Sequence, residues 1–160
     1  MNDAILIVNA GSSSLKFAVF VPGEQSDELE RRYHGQIEPI GQHASLKVYD
    51  DNHHTLLINN PVSVSDHDAA FQEILTWLEQ PAASLQIVAA GHRVVHGGAV
   101  FQQPVIINSD IIAQLESLVP LAPLHLPPNL AAIKALARLR PKWMQVACFD
   151  TTFHRTIPKV

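Results

Sequence analysis

The sequence contains little of what marks secreted, membrane-spanning or nucleic-acid-binding proteins. A single cysteine, Cys148, excludes an intrachain disulfide and fits a reducing compartment. No apolar run approaches the roughly 20 residues that cross a bilayer, and the N-terminal apolar stretch has no basic flank and ends at Asn9, so we expect no signal peptide. Lys and Arg number 11 against 15 Asp and Glu, which gives no general reason to expect nucleic acid or an anionic membrane as a partner. We therefore expect a cytoplasmic protein.

What the sequence does contain is the composition of a globular domain with a real core. Its 160 residues are 47% apolar and 16% charged, which suits one compact domain and not a disordered chain. Short apolar or alternating runs predict strands at 5–8, 15–20, 29–40, 45–49, 55–58, 85–90 and 143–149. Helical periodicity predicts helices at 65–80, 109–119 and 129–140. Strands first, followed by strand–helix alternation, indicate a mixed α/β domain with helices packed on a sheet.

Polar residues and prolines set the expected ends of these helices. We expect Ser65 to cap the first helix, and Ser109 with Asp110 to cap the second. Segment 120–128 is rich in proline and is expected to be irregular, so that the third helix begins at Asn129.

Segment 9–16, with the sequence Asn-Ala-Gly-Ser-Ser-Ser-Leu-Lys, joins the first two predicted strands. Its small residues would let backbone N–H groups and hydroxyls approach an anion closely, and Lys16 adds a positive charge. It is not a Walker A loop, because the Gly-x-x-x-x-Gly-Lys-Ser/Thr spacing is missing and a strand follows it. The segment is therefore either a phosphate-binding turn or an ordinary surface hairpin.

Segment 91–98, with the sequence Gly-His-Arg-Val-Val-His-Gly-Gly, continues a buried strand. On a strand, Arg93 and Val95 lie on one face, and His92 and His96 lie on the other. A guanidinium group beside a small apolar side chain suits a short carboxylic acid, because the guanidinium binds the carboxylate and the apolar group contacts the alkyl end. The alternative is that Arg93 forms a structural salt bridge.

A zinc site is a second hypothesis for the same region. His92 and His96 have the four-residue spacing that binds zinc on helices, and His125 or His154 would complete a set. The His-Glu-x-x-His pattern is absent, and the context is a strand. The pattern therefore disfavours zinc.

Two further residues occupy positions suited to chemistry. His125 lies in a proline-bounded apolar loop before a helix, where it would either donate a hydrogen bond to an anionic ligand or cap the helix. Asp150 follows the last predicted strand, where a carboxylate serves as a base, holds water or a metal, or caps the next element.

Taken together, these segments resemble the acetate kinase family and its relatives that phosphorylate other short carboxylates. The matching motifs are NAGSSSLKF at 9–17, GHRVVHGG at 91–98, LAPLH at 121–125 and FDTTFH at 149–154. Because four motifs occur in order and extend over essentially the whole chain, the resemblance is specific.

The resemblance implies the ribonuclease H-like fold of the acetate and sugar kinase, Hsp70 and actin superfamily, a mixed sheet with flanking helices. Residues 1–160 would be the N-terminal domain, and the C-terminal domain would be absent from this chain. The implied reaction is reversible transfer of the γ-phosphoryl group of ATP to acetate, giving acetyl phosphate and ADP, with Mg²⁺ or Mn²⁺ as cofactor. The parent enzyme would be a homodimer.

The resemblance also implies roles for residues of the first motif. Asn9 would bind the metal, while Ser12, Ser14 and Lys16 would lie on the phosphate side of the site.

Residues of the later motifs would bind the substrate and act in transfer. Arg93 would bind the substrate carboxylate, and Val95 with Leu124 would form its methyl pocket. His125 would contact the transferring phosphoryl group, and Asp150 would be an acid–base or positioning carboxylate. Since acetate is already ionised at pH 7, Asp150 need not remove a proton, and we expect it to position groups or control charge.

Two departures from the family pattern affect the expected function. Leu126 stands where the family usually has asparagine, which removes a polar group near the substrate pocket and leaves propionate or butyrate as alternative substrates. The chain also stops at Val160, before the second domain that carries the adenosine site, so we expect it to be catalytically incomplete alone. The alternative function is that of a stand-alone, non-catalytic binding or interaction domain of the same fold.

Overall fold

A mixed sheet with flanking helices forms the molecule in the computed structural model, which describes residues 2–24, 28–80 and 85–153. The strands in these residues are β1 (Asn2–Ala10), β2 (Leu15–Pro22), β3 (Leu29–Glu38), β4 (Ser45–Asp50), β5 (Thr55–Pro61), β6 (Leu85–Val94), β7 (Val105–Ile106) and β8 (Met144–Phe149). The helices are α1 (His67–Leu78), α2 (Ser109–Ser117), α3 (Leu126–Leu139) and the short α4 (Asp150–Phe153), with a 3₁₀ turn at Val119–Leu121. None of these helices is long and apolar enough to cross a membrane. The predicted mixed α/β class is confirmed.

The eight strands that the structure describes form one sheet in the order β5-β4-β3-β2-β1-β6-β8-β7. The first five pair antiparallel with their neighbours along the chain, whereas β6 is parallel to β1 and β8 is parallel to β6. From β1 the chain turns back into β2 on one side, and from β6 it crosses to β8 on the other. The carboxyl ends of β1 and β6 therefore flank a topological switch point, the place where open α/β sheets bind ligands.

The core lies between one face of the sheet and the helices α1 and α3. Alternate residues of β1, from Ala4 to Ala10, are at most 5% exposed and point into this layer. Helix α3 joins two apolar clusters, because Ala132, Ala135 and Leu136 pack with the β1–β4 side while Leu126, Leu130 and Ile133 pack with the β6–β8 side. The position of α3 is therefore fixed relative to both β1 and β6.

The opposite face of the sheet is open in the part of the chain that the structure describes. Ile7 on β1 is 37% exposed, Val88 on β6 is 41% exposed and Met144 on β8 is 52% exposed. Parallel strands are usually covered on both faces, so this accessible apolar surface is unusual for the centre of such a sheet.

The start of α2 at Ser109 agrees with the prediction, whereas α1 begins two residues later than predicted, and the caps of both helices differ from the predicted ones by one residue. The cap of α1 is Asp66 and not Ser65, since the Asp66 carboxylate accepts a hydrogen bond from the Ala69 N–H. The cap of α2 is Asn108 and not Ser109, since the Asn108 side chain accepts from the Ile111 N–H. In each case the cap is the residue immediately before the first helical residue, and its side chain reaches the free N–H groups of the first turn.

The start of α3 was predicted three residues too late. It begins at Leu126, and Pro127 and Pro128 lie in its first turn. Prolines are tolerated there, because the N–H groups of the first turn have no partner within the helix. The expectation that segment 120–128 is wholly irregular was therefore wrong at its end.

Candidate active site

Four of the predicted site residues line one cavity at the switch point. The β1–β6 ladder ends at the pair Val8 and His92, while β6 continues beside β8 as far as Val94. The ends of β1 and β6 therefore lie side by side without backbone pairing. The opening there has a volume of about 400 Å³, and its walls are Asn9, Ala10, Gly11, Arg93, Val95, His125 and Asn129.

The turn between β1 and β2 forms one wall of the site. Asn9 pairs in register with Lys16, which places both side chains on the same face of the sheet. The turn is held by a hydrogen bond of 2.9 Å from the Gly11 N–H to the Ser14 carbonyl. Ser12 is exposed and Ser14 is half-buried. Asn9 lines the cavity, whereas Ser12, Ser14 and Lys16 stand beside it, and their predicted phosphate role stays a prediction.

His67 links this turn to helix α1 by a hydrogen bond. Its Nε2–H group, on the first residue of α1, donates to the Gly11 carbonyl over 2.7 Å. This contact was not predicted from the sequence, because a histidine at a helix start has no pattern that points to a loop 56 residues earlier.

Arg93 and Asp150 form an ion pair at the edge of the cavity. Arg93 Nε lies 3.0 and 3.1 Å from the two carboxylate oxygens of Asp150, and Arg93 Nη2 lies 2.7 Å from Oδ2. The hydrogen bonds and charge of Asp150 raise the pKa of Arg93 further above its already high value. The salt bridge left open by the sequence is therefore present, and its partner is itself a predicted site residue.

Val95 and His125 lie on the other side of the opening. Val95 follows β6 directly and is half-buried, and His125 is the residue immediately before α3. His125 occupies the cap position of α3, but its side chain makes no capping hydrogen bond, and the ring is exposed at the cavity. Leu124, in contrast, is 77% exposed and lies outside the lining of this cavity.

Asn129 is a wall residue that sequence reasoning missed. It is 3% exposed, its Nδ2 group donates to the Ala10 carbonyl at 2.9 Å, and its Oδ1 accepts from the Val95 N–H at 3.1 Å. A signal existed, because Asn129 shares the apolar face of α3 with Ile133 and Leu136 at spacings of four and seven. A polar side chain on such a face needs buried partners.

A second cavity of about 430 Å³ lies on the open face of the sheet. It shares Asn9 and Lys16 with the site region and is also lined by Arg31 and His34. Asp51 accepts hydrogen bonds from Arg31 Nε and Nη2 and from His34 Nδ1. The positive charge of Arg31 at the second cavity is therefore largely neutralised. The smaller cavity is the better candidate, because strand ends and the ion-paired guanidinium meet there.

Two of the histidines of the zinc hypothesis, His92 and His96, form hydrogen bonds within the protein. His92 is 2% exposed, and its Nε2–H donates to Gln145 Oε1 at 2.7 Å. Burial lowers the pKa of His92 to about 4. His96 Nδ1 accepts from the Gly98 N–H, and the described residues contain no group of three or more potential metal-binding His, Cys, Asp or Glu side chains. His154 lies outside the described residues.

Comparison with known proteins identifies the family of the chain. The model of the acetokinase family matches residues 4–160. The chain belongs to the acetokinase family. An acetate kinase of Rhodopseudomonas palustris strain TIE-1 is 40% identical over the whole chain, and one of Nitrobacter hamburgensis is 45% identical over 96% of it. The chain spans 40% and 38% of the lengths of these two relatives.

Solved structures of the family share the fold. The acetate kinase of Porphyromonas gingivalis superposes with a TM-score of 0.85 and 32% identity, over 98% of this acetokinase chain and 39% of that one. A propionate kinase from Francisella tularensis gives a TM-score of 0.83 at 34% identity, with the same coverage. The mixed eight-stranded sheet with flanking helices is therefore that of the N-terminal part of these kinases.

Proposed function

We propose that this chain is the N-terminal domain of an ATP-dependent kinase that phosphorylates a short carboxylate, with acetate as the expected acceptor and acetyl phosphate as the product. The observation that carries the proposal is that Asn9, Arg93, Val95 and His125 meet in one cavity. They come from three separate sequence motifs, and the cavity lies where α/β sheets bind ligands. Membership of the acetokinase family supports this assignment.

Substrate recognition is assigned to the β6 side of the cavity. Arg93 presents a planar set of donors that matches a carboxylate, and Val95 is a small apolar neighbour two residues along the chain. A short acid bound here would place its carboxylate at the guanidinium and its alkyl group against the valine. Phosphoryl transfer depends mainly on such positioning and on neutralising charge, since there is little covalent chemistry for the protein to perform.

We assign the binding of the transferred phosphoryl group, and the neutralisation of its charge, to the β1–β2 turn and His125. Lys16 supplies a positive charge on the face that it shares with Asn9, and Ser12 and Ser14 supply hydroxyl groups on the turn. The exposed ring of His125 offers an N–H donor that suits a phosphoryl oxygen. Asp150, held by Arg93, is proposed to orient that guanidinium and to balance its charge.

The residues present fit a magnesium ion that is carried mainly by a nucleotide. Asn9 offers a neutral amide oxygen at the cavity, and oxygen is the ligand that Mg²⁺ prefers. Magnesium keeps several waters and takes phosphate oxygens, so a full set of protein ligands is not needed. Asn9 would therefore hold Mg²⁺, or Mn²⁺, through one oxygen. The ion would neutralise charge on the phosphates of ATP.

The remaining parts of the site are proposed to come from the rest of the polypeptide. The relatives are about two and a half times as long as this chain, since it covers 40% of the first of them. We assign the adenosine site and the homodimer contact to that portion. The 160-residue chain alone is then expected to bind the acid without completing transfer.

The choice between acetate and propionate stays open within this proposal. An acetate kinase and a propionate kinase match the fold with TM-scores of 0.85 and 0.83, which do not separate the two substrates. Leu126 is fully buried and so does not itself present a new apolar group to the substrate.

A chimera tests the proposed function. Residues 1–160 would be fused to the part of the Rhodopseudomonas palustris acetate kinase that follows the matched region, and acetyl phosphate formation from ATP and acetate would be measured. We expect activity in the chimera, loss of it in Arg93→Ala, and retention in the matched variant Arg31→Ala, which lies outside the smaller cavity. A folded chimera that is inactive, or one that is indifferent to Arg93→Ala, would overturn the proposal in favour of a non-catalytic domain.

If the chimera does not fold, a binding experiment on the 160-residue chain tests the carboxylate site instead. The 160-residue chain would be titrated with acetate while the amide signal of Val95 is followed by NMR. Saturable binding that Arg93→Ala abolishes supports the carboxylate site, and absence of binding counts against it.

A further inference from the structure

Asn129 spans the point at which the two central parallel strands separate. Ala10 ends β1, Val95 follows the end of β6, and the last backbone pair between these strands is Val8 with His92. Beyond that pair the Asn129 carboxamide accepts from the Val95 N–H and donates to the Ala10 carbonyl. The side chain thus takes the place that a peptide group would occupy between the two strands.

The chemistry of the two partners requires a side chain with both a donor and an acceptor at this position. Val95 offers an N–H donor and Ala10 offers a carbonyl acceptor, so the side chain between them must provide one acceptor and one donor. Aspartate would supply acceptors only, and leucine would supply neither. Because Asn129 is 3% exposed, water cannot readily replace a missing partner, and an unpaired group there is costly.

The two strand ends that Asn129 joins carry the two halves of the proposed site. Ala10 lies between Asn9 and Gly11 on the turn assigned to phosphate, and Val95 lies on the wall assigned to the carboxylate. His67 fixes the Gly11 carbonyl to α1 but makes no described contact with the β6 side. Asn129 is thus a direct side-chain link between the two walls.

We propose that Asn129 is a positioning residue that fixes the distance between the carboxylate wall and the phosphate wall. Binding of a ligand at one wall then changes the affinity for a ligand at the other. This inference rests on the proposed function for its ligands, but the placement of Asn129 does not. In-line transfer requires acceptor and donor groups at a defined separation, and a misplacement of about 1 Å can reduce the rate about a hundredfold. A buried amide bonded to both walls controls that separation without touching the reacting atoms.

The test uses the 160-residue chain, amide hydrogen exchange, and NMR titrations with acetate and inorganic phosphate as the probes. Variants are Asn129→Ala, Asn129→Asp, and the control Asn108→Ala, in which an asparagine of purely structural role at the start of α2 is removed. Without ligand, exchange at Val95 should be about tenfold faster in Asn129→Ala than in wild type, and unchanged in Asn108→Ala. With ligands, saturating phosphate should change the acetate Kd of the wild type by about fivefold.

Asn129→Asp separates positioning from mere stability. At a pH at which the introduced carboxylate is ionised, it keeps an acceptor for Val95 and loses the donor to Ala10. Protection of the Val95 amide should then persist, while phosphate should no longer change the acetate Kd. It also decides the question if Asn129→Ala does not fold. Unchanged exchange at Val95 in a folded Asn129→Ala, or retained coupling in Asn129→Asp, overturns the inference. If neither probe binds to the wild type, the proposed function fails, and the exchange rate of Val95 alone decides whether Asn129 holds the two ends.

Discussion

Arg93 and Asp150 face each other as a forked ion pair, with Nε 3.0 Å from one carboxylate oxygen and Nη2 2.7 Å from the other. The guanidinium that is proposed to bind a substrate carboxylate therefore already binds a carboxylate of the protein. Both side chains are partly open to solvent, at 53% and 32% exposure, so the pair is accessible to a competing anion. An incoming acid must either share the guanidinium with Asp150 or displace it.

This competition predicts the effect of Asp150→Asn on binding. Removing the charge of Asp150 frees the guanidinium, and exposed ion pairs of this kind contribute about 0.2–1 kcal/mol. We therefore expect the acetate affinity of the 160-residue chain to rise about two- to fivefold in Asp150→Asn, within that range. NMR titration of the Val95 amide measures it.

Arg93→Lys is the matched control, because it keeps the positive charge and removes the fork. It should weaken acetate binding whether or not Asp150 is present. Weaker binding in Asp150→Asn than in wild type would contradict the prediction and would show that the orientation of Arg93 by Asp150 outweighs the competition.

The position of Arg93 was predictable, whereas its partner was not. Strand alternation predicted that Arg93 and His92 lie on opposite faces of the strand, and the structure leaves Arg93 exposed and buries His92. The partner depends on the parallel register of β6 with β8, which brings Val94 beside Phe149 and hence Arg93 near Asp150. Two residues 57 positions apart meet through a sheet pairing that no local pattern specifies.

The start of α1 gives a prediction about stability. Asp66 Oδ1 accepts from the Ala69 N–H at 2.8 Å, and Ser65 only donates to Asp66. Loss of an N-cap side chain costs about 1 kcal/mol. Asp66→Ala should therefore lower the free energy of unfolding by about 1 kcal/mol in urea, while Ser65→Ala should lower it by less than half of that. Equal losses of unfolding free energy in the two variants would show that Ser65 contributes as much as Asp66 to capping α1.

The capping residue of α2 and the partners of the buried Asn129 could not be predicted from the sequence. Asn108, Ser109 and Asp110 are all good capping residues, and only the backbone path decides which of them caps α2. The role of Asn129 depends on two backbone groups from separate strands, 119 and 34 residues away. The periodicity of α3 shows that Asn129 faces the core, but not which strand ends it joins.

Two strand glycines, Gly35 and Gly91, differ in the atoms that an added methyl group would contact. We therefore expect one of them to tolerate substitution by alanine and the other not to. At Gly35 an added Cβ would collide with the Lys47 backbone carbonyl and would lie 2.7 Å from the Phe17 ring. At Gly91 it would meet only the end of the Ile7 side chain, at 2.9 Å, and that side chain can rotate away on the open face. Overpacking against fixed atoms costs about 1–3 kcal/mol.

We therefore expect Gly35→Ala to lower the free energy of unfolding by about 1–3 kcal/mol and Gly91→Ala by less than about 1 kcal/mol. Thermal or urea unfolding of the two variants, compared side by side, measures the difference. Comparable losses in both would mean that the face of the sheet around Ile7 is as tightly packed as the face around Phe17.

His92 makes the stability of the protein depend on pH. Burial lowers the pKa of His92 from 6.5 to about 4 in the folded protein, whereas the unfolded chain keeps the ordinary value. Between these values the unfolded state binds a proton that the folded state does not. The contribution of the neutral, buried ring is therefore fully present above about pH 6.5 and is lost as the pH falls toward 4.

The difference between the two pKa values corresponds to roughly 3.5 kcal/mol at most, at about 1.4 kcal/mol per pKa unit. Urea unfolding between pH 7 and 4 should show this decline in wild type and in His54→Asn, which replaces an exposed loop histidine. In His92→Gln the decline should be much smaller, because glutamine can still donate to Gln145 but cannot take up the proton. Loss of the Asp66 cap does not confound the comparison, since the hydrogen bond from Ala69 lowers the pKa of Asp66 below 3.8 and its loss falls outside the window. A parallel decline in His92→Gln and wild type would assign the acid sensitivity to other groups and would show that His92 is protonated within the fold.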